Sequence, residues 1–340
     1  MEARTDHTQP PRRLDRKLAH ILEGRYTAAD FVIADAKDAD MAFGLAAAGL
    51  VPGATVGAGA GPGRHRTRET YLAAMRSLVE QDVVDILLTS ASNGERLARD
   101  GSFGTSVTLA IRANDSSDIW NHRNGAYAGR PSRPFRTALL SAVQPICDLV
   151  LYSVTFNNDL DADLATLEAY SAFRQEAAEL GIRHFLEVFN PNAAEMTREQ
   201  VGPFVNDSIV RSLAGVTSAH RPVFLKMAYN GASALAELVE HDSSMVVGIL
   251  GGSAGTTRDT FELLHRVERN GGRVALFGRK IQHAESQLNL VRLMPLVLRG
   301  ELDPGQAVRT YHDGLREAGC SPHRALEDDL RVTDPALLAE

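Results

Sequence analysis

The chain has 340 residues, of which 44% are hydrophobic and 23% charged, with a formal net charge of -7. This is ordinary for a globular enzyme, and the acidic balance gives no support for nucleic acid or an anionic membrane as a partner. Two cysteines without CxxC spacing argue against a disulfide framework or a thiolate zinc site, and no run approaches the roughly 20 apolar residues of a membrane helix. The opening MEARTDHTQPPRRLDRK lacks the apolar core of a signal peptide, so a cytoplasmic location is expected.

Residues 1–11 are polar and contain proline, which predicts a frayed end. Residues 12–23 predict a short helix with Leu14, Leu18, Ile21 and Leu22 on one side. A rhythm then begins. Short apolar runs fall at 31–35, 84–90, 107–114, 148–156, 183–189, 222–228, 245–250 and 273–278. Between most of them lie helical patterns such as RETYLAAMRSLVEQ, DLATLEAYSAFRQEAAELG, SALAELVEH and RDTFELLHRVERNGG. Near-continuous apolar strands alternating with helices imply a parallel sheet covered on both faces. Eight such units predict an α/β protein, a single (β/α)8 TIM barrel. No GxGxxG opens a helix after the first strand, so dinucleotide binding lacks support.

The expected organisation is an N-terminal arm and helix over 1–25, a barrel over 26–300 and a C-terminal helical extension over 301–340. Two connections are long: the Gly-rich GATVGAGAGPGRHRTRE after the first strand and NDSSDIWNHRNGAYAGRPSRP after the third. Both follow strands and so belong to the C-terminal face, where barrel active sites sit; functional lids or insertions are expected there.

Charged residues inside the apolar runs are the candidates for chemistry. In PVFLKMA, Phe224, Lys226 and Ala228 share one face. A lysine pointing inward near a strand's C-terminal end reaches the mouth of a barrel. Apolar surroundings disfavour its ammonium form, and a free amine is what attack on a carbonyl needs. The competing reading is a lysine paired with a carboxylate for structure alone. In HFLEVF, Glu187 shares a face with Phe185 and Phe189 and is either a general acid/base beside Lys226 or its counter-ion. The first strand ends ADAKDAD, where Asp35 and Lys37 share a face; a site role competes with a solvated charge run. Arg112 and Asn114 share a face at the end of the third strand. On the fourth, either Tyr152 or Ser153 faces the pocket.

The seventh and eighth strands run into Gly251, Gly252, Ser253 and into Gly278, Arg279. Glycines let backbone amides approach an anion, and this pair of barrel loops commonly holds phosphate. Arg279 adds a charge-assisted contact. Tight βα turns are the plainer explanation. The basic GRHRTRE and the His122–Arg123 pair are either solvated loop charges or contributors of charge from the lid side. No HxH or HExxH spacing supports a metal.

These residues resemble those of the class I aldolases of the DeoC/DhnA/LacD superfamily. FLKMAYNGASALAELV is similar to the family's lysine-bearing strand and following helix, and VVGILGGSAGTTRDTFELLHRVERNGGRVALFGRKIQHAE to its Gly-Gly segment and final Gly-Arg phosphate motif. VTLAIRAND resembles the third-strand pattern, with Arg112 where a lysine is usual, and HFLEVF resembles the fifth strand of the tagatose-type branch. The resemblance spans about 84–300. It implies a Schiff base on Lys226 and proton transfer by Glu187, or by Asp35 with Tyr152. It implies substrate contacts from Arg112, Asn114, Gly251, Gly252, Ser253, Gly278 and Arg279, on a sugar phosphate or related anionic substrate; Lys37, unexpected in the family, is a further substrate-contact candidate from its place at the end of the first strand. It also implies no metal or organic cofactor, and a homo-oligomer. The chain departs from the family at ADAKDAD and lacks the tagatose-type lysine on the fourth strand, which marks a divergent branch. A thiolase- or transaldolase-like transferase and a non-catalytic phosphate-binding barrel remain as alternatives.

Overall fold

A computed structural model describes residues 12–51, 64–104, 106–120 and 122–338. The expected frayed end at 1–11 and the Gly-rich 53–63 lie outside the described residues. Eight parallel strands close into a barrel: β1 (Val32–Lys37), β2 (Ile86–Thr89), β3 (Thr108–Arg112), β4 (Leu149–Thr155), β5 (Arg183–Phe189), β6 (Leu225–Met227), β7 (Val247–Leu250) and β8 (Val274–Phe277). Each pairs with its neighbours in the chain, and β1 closes the ring on β8. All eight apolar runs are therefore strands of one fold, the (β/α)8 barrel.

Alternation along each strand sorts side chains into two cores. Val32, Ala34 and Ala36 face the lumen with Ile86, Leu88, Leu149, Leu151, Phe185, Phe224, Val274 and Leu276. Ile33, Leu87, Ile111, Val150, Leu186 and Ile249 face the helices, which wrap the barrel. Helix Arg68–Gln81 has the bounds its pattern predicts, and Thr67 caps it by accepting from the Thr70 amide at 3.2 Å. The helices Ala91–Arg99, Arg198–Ala214 and Gln287–Leu298 had no clear signal in the sequence. Two of them carry an internal proline, Pro203 and Pro295, which blurs a helical pattern.

Helix α1 (Arg13–Leu22) plugs the bottom of the barrel. Leu14 and Leu18 join the lumen core, while Leu22, expected on the same side, is 51% exposed. The plug is locked by buried Asp85, whose carboxylate accepts from Arg13 Nε, Lys17 Nζ and the Ile33 amide, each at 2.8 Å. A fully buried carboxylate needs this many donors to offset its desolvation. At the other end, the connection after β1 folds into a short helix (Ala39–Phe43) and a 3-10 turn (Gly44–Ala48) that lean over the mouth. The connection after β3 contains a two-stranded antiparallel piece, Asp115–Ser116 against Pro134–Phe135. Among the described residues no helix is long and apolar enough to cross a membrane.

Candidate active site

Lys226 and Glu187 occupy matching positions on β6 and β5, side by side in the register. Phe224 and Phe185 lie two residues earlier on each strand and stack at 4.5 Å between ring centroids. The two charged side chains therefore stand on an apolar floor and point into the lumen. Both are buried, at 5% and 2% exposure, and they form an ion pair. The lysine thus has a counter-ion, as one reading of the sequence required, and that counter-ion is the residue the other reading made its acid/base.

The pair continues into a network. Glu187 Oε2 accepts from Ser153 Oγ at 2.7 Å and from Arg112 at 3.3 Å. Arg112 also donates to Ser153 Oγ at 2.7 Å, to Asp38 Oδ2 at 2.6 Å and to the Asn114 carbonyl at 2.9 Å. Burial works against the guanidinium charge, but Asp38 and Glu187 hold its pKa above the ordinary value. One chain of contacts therefore runs from β1 through β3, β4 and β5 to β6. Such a network fixes each side chain's direction before any ligand arrives.

The network opens onto a cavity of about 380 Å3 at the C-terminal ends of the strands. Its lining includes Asp38, Arg112, Glu187 and Lys226, together with Gly251, Gly252, Gly278 and Arg279 from the ends of the seventh and eighth strands. Phe43, Ile119, Phe189 and Leu250 supply apolar surface. Gly252 adopts φ +65°, a conformation that disfavours a side chain. At Gly278 a Cβ would lie 3.2 Å from the Ala36 carbonyl, a tight contact that a side chain could take only if β8 and β1 shifted by a few tenths of an ångström. Arg279 is exposed and has no carboxylate partner among the described residues. Ser253 follows Gly252 in the loop but does not line the cavity.

The structure corrects several expectations. Asp35 and Lys37 do not enter the lumen. They alternate with the lumen-facing Ala34 and Ala36 and so point into the helix layer, where both are fully buried and Lys37 Nζ lies 3.1 Å from Asp35 Oδ2. The aspartate that β1 gives to the site is Asp38, in phase with Val32, Ala34 and Ala36. Tyr152 also faces outward. Its ring stacks on Phe173 of the helix Leu160–Glu179 at 4.2 Å, and burial pushes its hydroxyl pKa up to about 12. Ser153 is the lumen residue of that stretch. Asn114 is buried but committed: its amide donates to the Ser153 carbonyl at 2.8 Å and its oxygen accepts from the Ser153 amide at 2.7 Å. It holds β4 to β3 and has no amide face left for a substrate.

Of the pair left open on the fourth strand, Ser153 is the one in the network, and Asp38 and His283 are cavity residues that sequence reasoning did not single out for the site. Counting in twos from Val32 would have reached Asp38. The basic cluster after the first strand is elsewhere: Arg68 donates to Asn93 and to the Ser92 carbonyl, and Arg66 to the Leu50 carbonyl. His122 packs against Trp120 and Tyr127, outside the cavity. Among the described residues no group of three or more His, Cys, Asp or Glu side chains is placed to hold a metal.

Fold and site together define a (β/α)8 barrel carrying a buried lysine at the sixth strand. Several solved proteins are similar in structure and remote in sequence. An archaeal fructose-1,6-bisphosphate aldolase, whose catalytic Lys is covalently bound to the carbinolamine intermediate of its substrate, superposes with a TM-score of 0.61 at 15% identity, covering 84% of this chain and 100% of that one. A fructose-bisphosphate aldolase from Slackia heliotrinireducens gives 0.63 at 14% identity, over 92% and 96%. A protein from Corynebacterium glutamicum gives 0.58 at 16%, over 85% and 94%. No family model matches the sequence, and no curated protein does. The likeness establishes the fold that this chain shares with the Schiff-base aldolases.

Proposed function

We propose that the protein is a class I aldolase that cleaves or forms a carbon–carbon bond in a phosphorylated ketose or a related oxo-compound. The observation that carries this is the position of Lys226. It is a buried lysine at the C-terminal end of β6, on an apolar floor, with Glu187 as its one carboxylate and a cavity above it. What singles this pair out is that it opens onto the cavity, where a ligand can reach the amine.

In the proposed reaction the Lys226 ammonium passes a proton to its partner Glu187 Oε1, and the freed amine attacks the substrate carbonyl carbon. The proton that the nitrogen then sheds goes to the former carbonyl oxygen, which gives the carbinolamine. Glu187 returns its proton to the leaving hydroxyl, and loss of water gives an iminium. The substrate's β-hydroxyl then loses its proton to a base, the adjacent carbon–carbon bond breaks, and its electron pair moves into the iminium to give an enamine and a free aldehyde. Protonation of the enamine and hydrolysis release the second product and restore the lysine. Glu187 is the proposed proton carrier throughout, because its second oxygen is held by Ser153 and Arg112 while the first is free to exchange protons with the amine. Arg112 and Asp38 are suited to bind substrate hydroxyls. The unpartnered Arg279 with Gly251, Gly252 and Gly278, which line the same cavity, is suited to an anionic end.

Borohydride reduction tests this directly. The full chain is incubated with dihydroxyacetone phosphate and a panel of ketose phosphates, reduced and weighed. The expected result is an adduct that maps to Lys226 and is absent from Lys226→Met. Tight binding of panel members without any adduct would favour a non-catalytic barrel instead.

A further inference from the structure

Four lysine or arginine side chains are buried among the described residues: Lys37, Arg112, Lys226 and Lys280. Three have a carboxylate within ion-pairing distance: Asp35 for Lys37, Asp38 and Glu187 for Arg112, and Glu187 for Lys226. Lys280 has none. It is 3% exposed, and its ammonium makes a single long contact of 3.4 Å to the Ala254 carbonyl. An ammonium out of water keeps most of its hydrogen-bonding capacity unmet unless something else supplies acceptors.

Beside it lies a second cavity of about 300 Å3, between the connection after β7 and the C-terminal segment. Lys280, Thr256 and Thr260 form its buried part; His283, His323 and Arg324 stand exposed at its rim. The lining carries one acid, Glu285, and that acid is occupied: one oxygen accepts from the His323 amide at 2.5 Å and the other from the Tyr311 hydroxyl at 3.0 Å. Arg324 is held loosely, 3.9 Å from Asp329 Oδ1. Asp329 itself is committed to the Thr257 amide at 2.8 Å and His312 Nε2 at 2.9 Å. Asp259 and Asp334 act on Lys280 from beyond ion-pairing distance, and each already accepts from backbone amides. Two cations with unfilled donors thus face one small polar space, and the acids around it are already hydrogen-bonded elsewhere.

We propose that this second cavity is an anion site, taking a phosphate-sized oxyanion between Lys280 and Arg324. It is separate from the substrate cavity, sharing only His283 with it. The partition between the two is the connection after β7, with Gly251 and Gly252 on one side and Ala254 and Gly255 on the other. The stem of Lys280 packs directly behind that partition: a Cβ built on Gly251 would lie 3.4 Å from Lys280 Cδ. Arg279 and Lys280, adjacent in sequence, therefore serve different cavities. An oxyanion drawing on Lys280 would act on the loop that borders the substrate cavity, which makes the site suited to tuning substrate affinity. The binding proposal itself does not depend on the aldolase reading.

Equilibrium dialysis of the full chain against labelled inorganic phosphate is the test, using wild type, Lys280→Met, Arg324→Gln and Arg279→Met. The expected result is that Lys280→Met and Arg324→Gln each weaken one class of phosphate site by about tenfold or more, the scale of one charge-assisted contact, while Arg279→Met leaves that class intact. Arg324 is exposed, so its variant reports even where Lys280→Met folds poorly. The proposal is overturned if wild type binds no phosphate at millimolar concentration, if Arg324→Gln and a folded Lys280→Met bind it as wild type does, or if Arg279→Met removes all binding. A failure of borohydride trapping leaves these outcomes unchanged, so the two readings fail separately.

Discussion

The barrel contains two buried lysine–carboxylate pairs on strands, and they behave differently. Lys226–Glu187 faces the lumen and Lys37–Asp35 faces the helix layer. The lumen pair is the end of a network through Arg112, Ser153 and Asp38 and opens onto a cavity. The outer pair is sealed at 0% exposure, and apart from each other neither Asp35 oxygen nor Lys37 Nζ finds a partner among the described residues. Burial of a lysine next to an acid is therefore not itself the mark of a site. What distinguishes the two is access and spare valence: the lumen pair can exchange its partner for a ligand, and the outer pair has nowhere to go.

Breaking the lumen pair should give the largest effect. Lys226→Met removes the nucleophile, and turnover should fall by about a thousandfold or more with complete loss of the reduced adduct. Glu187→Gln should come next. It removes the proposed proton carrier, a loss of about 10²- to 10⁴-fold in kcat. It also leaves two buried cations short of charge, costing about 3–5 kcal/mol in urea unfolding. Substrate adducts on Lys226 in this variant should still be detectable, at a reduced rate.

The outer pair should answer in stability and not in turnover. Lys37→Met strands a buried carboxylate at a cost of about 3–5 kcal/mol, whereas the double change Asp35→Leu with Lys37→Met should recover most of it, and kcat should stay near wild type in each folded variant. A recovery that also restores a lost kcat would give this pair a catalytic task. The same pair carries a pH signature. Burial raises the Asp35 carboxyl from 3.8 to about 6, with Lys37 opposing, and burial lowers Lys37. A carboxyl whose folded value lies above its unfolded value stabilises the fold below the unfolded value and loses that contribution as pH rises through the folded one. Between pH 3.8 and about 6 wild type should therefore lose up to about 3 kcal/mol relative to Asp35→Asn, which lacks this titration. A flat difference across that window would contradict the assigned burial.

The smallest effect should come from Tyr152→Phe. With its ring against Phe173 and its face turned from the lumen, its hydroxyl should matter less than about twofold in kcat, well under 1 kcal/mol. A hundredfold loss would return it to the proton-transfer machinery.

The sequence made Lys226 and Glu187 legible because each is a charge in an apolar run, two residues after an aromatic on the same face, Phe224 and Phe185. Eight evenly spaced apolar runs likewise left one architecture standing. Strand one was misread for a physical reason. A charge in a barrel strand is expected to face the lumen because the helix layer cannot solvate it, yet two opposite charges two residues apart share a face and neutralise each other there. Tyr152 failed differently. A parallel strand is apolar on both faces, so periodicity carries no sign and cannot say which of Tyr152 and Ser153 points inward. Lys280 was invisible as a binding residue, because its significance depends on which acids the C-terminal segment brings near and which of them are already engaged.

The plug at the barrel's base places a constraint on the order of assembly. Leu14 and Leu18 precede every strand in the chain, yet they belong to one buried cluster with Phe224, Val246, Val274 and Leu276. The surface that receives them is finished only when β8 meets β1, more than 200 residues after the helix itself has been made. The segment synthesised earliest among the described elements thus packs on a surface that the last strand completes. A chain cut short before β8 would leave that apolar face without its full seat, open to water and to other chains.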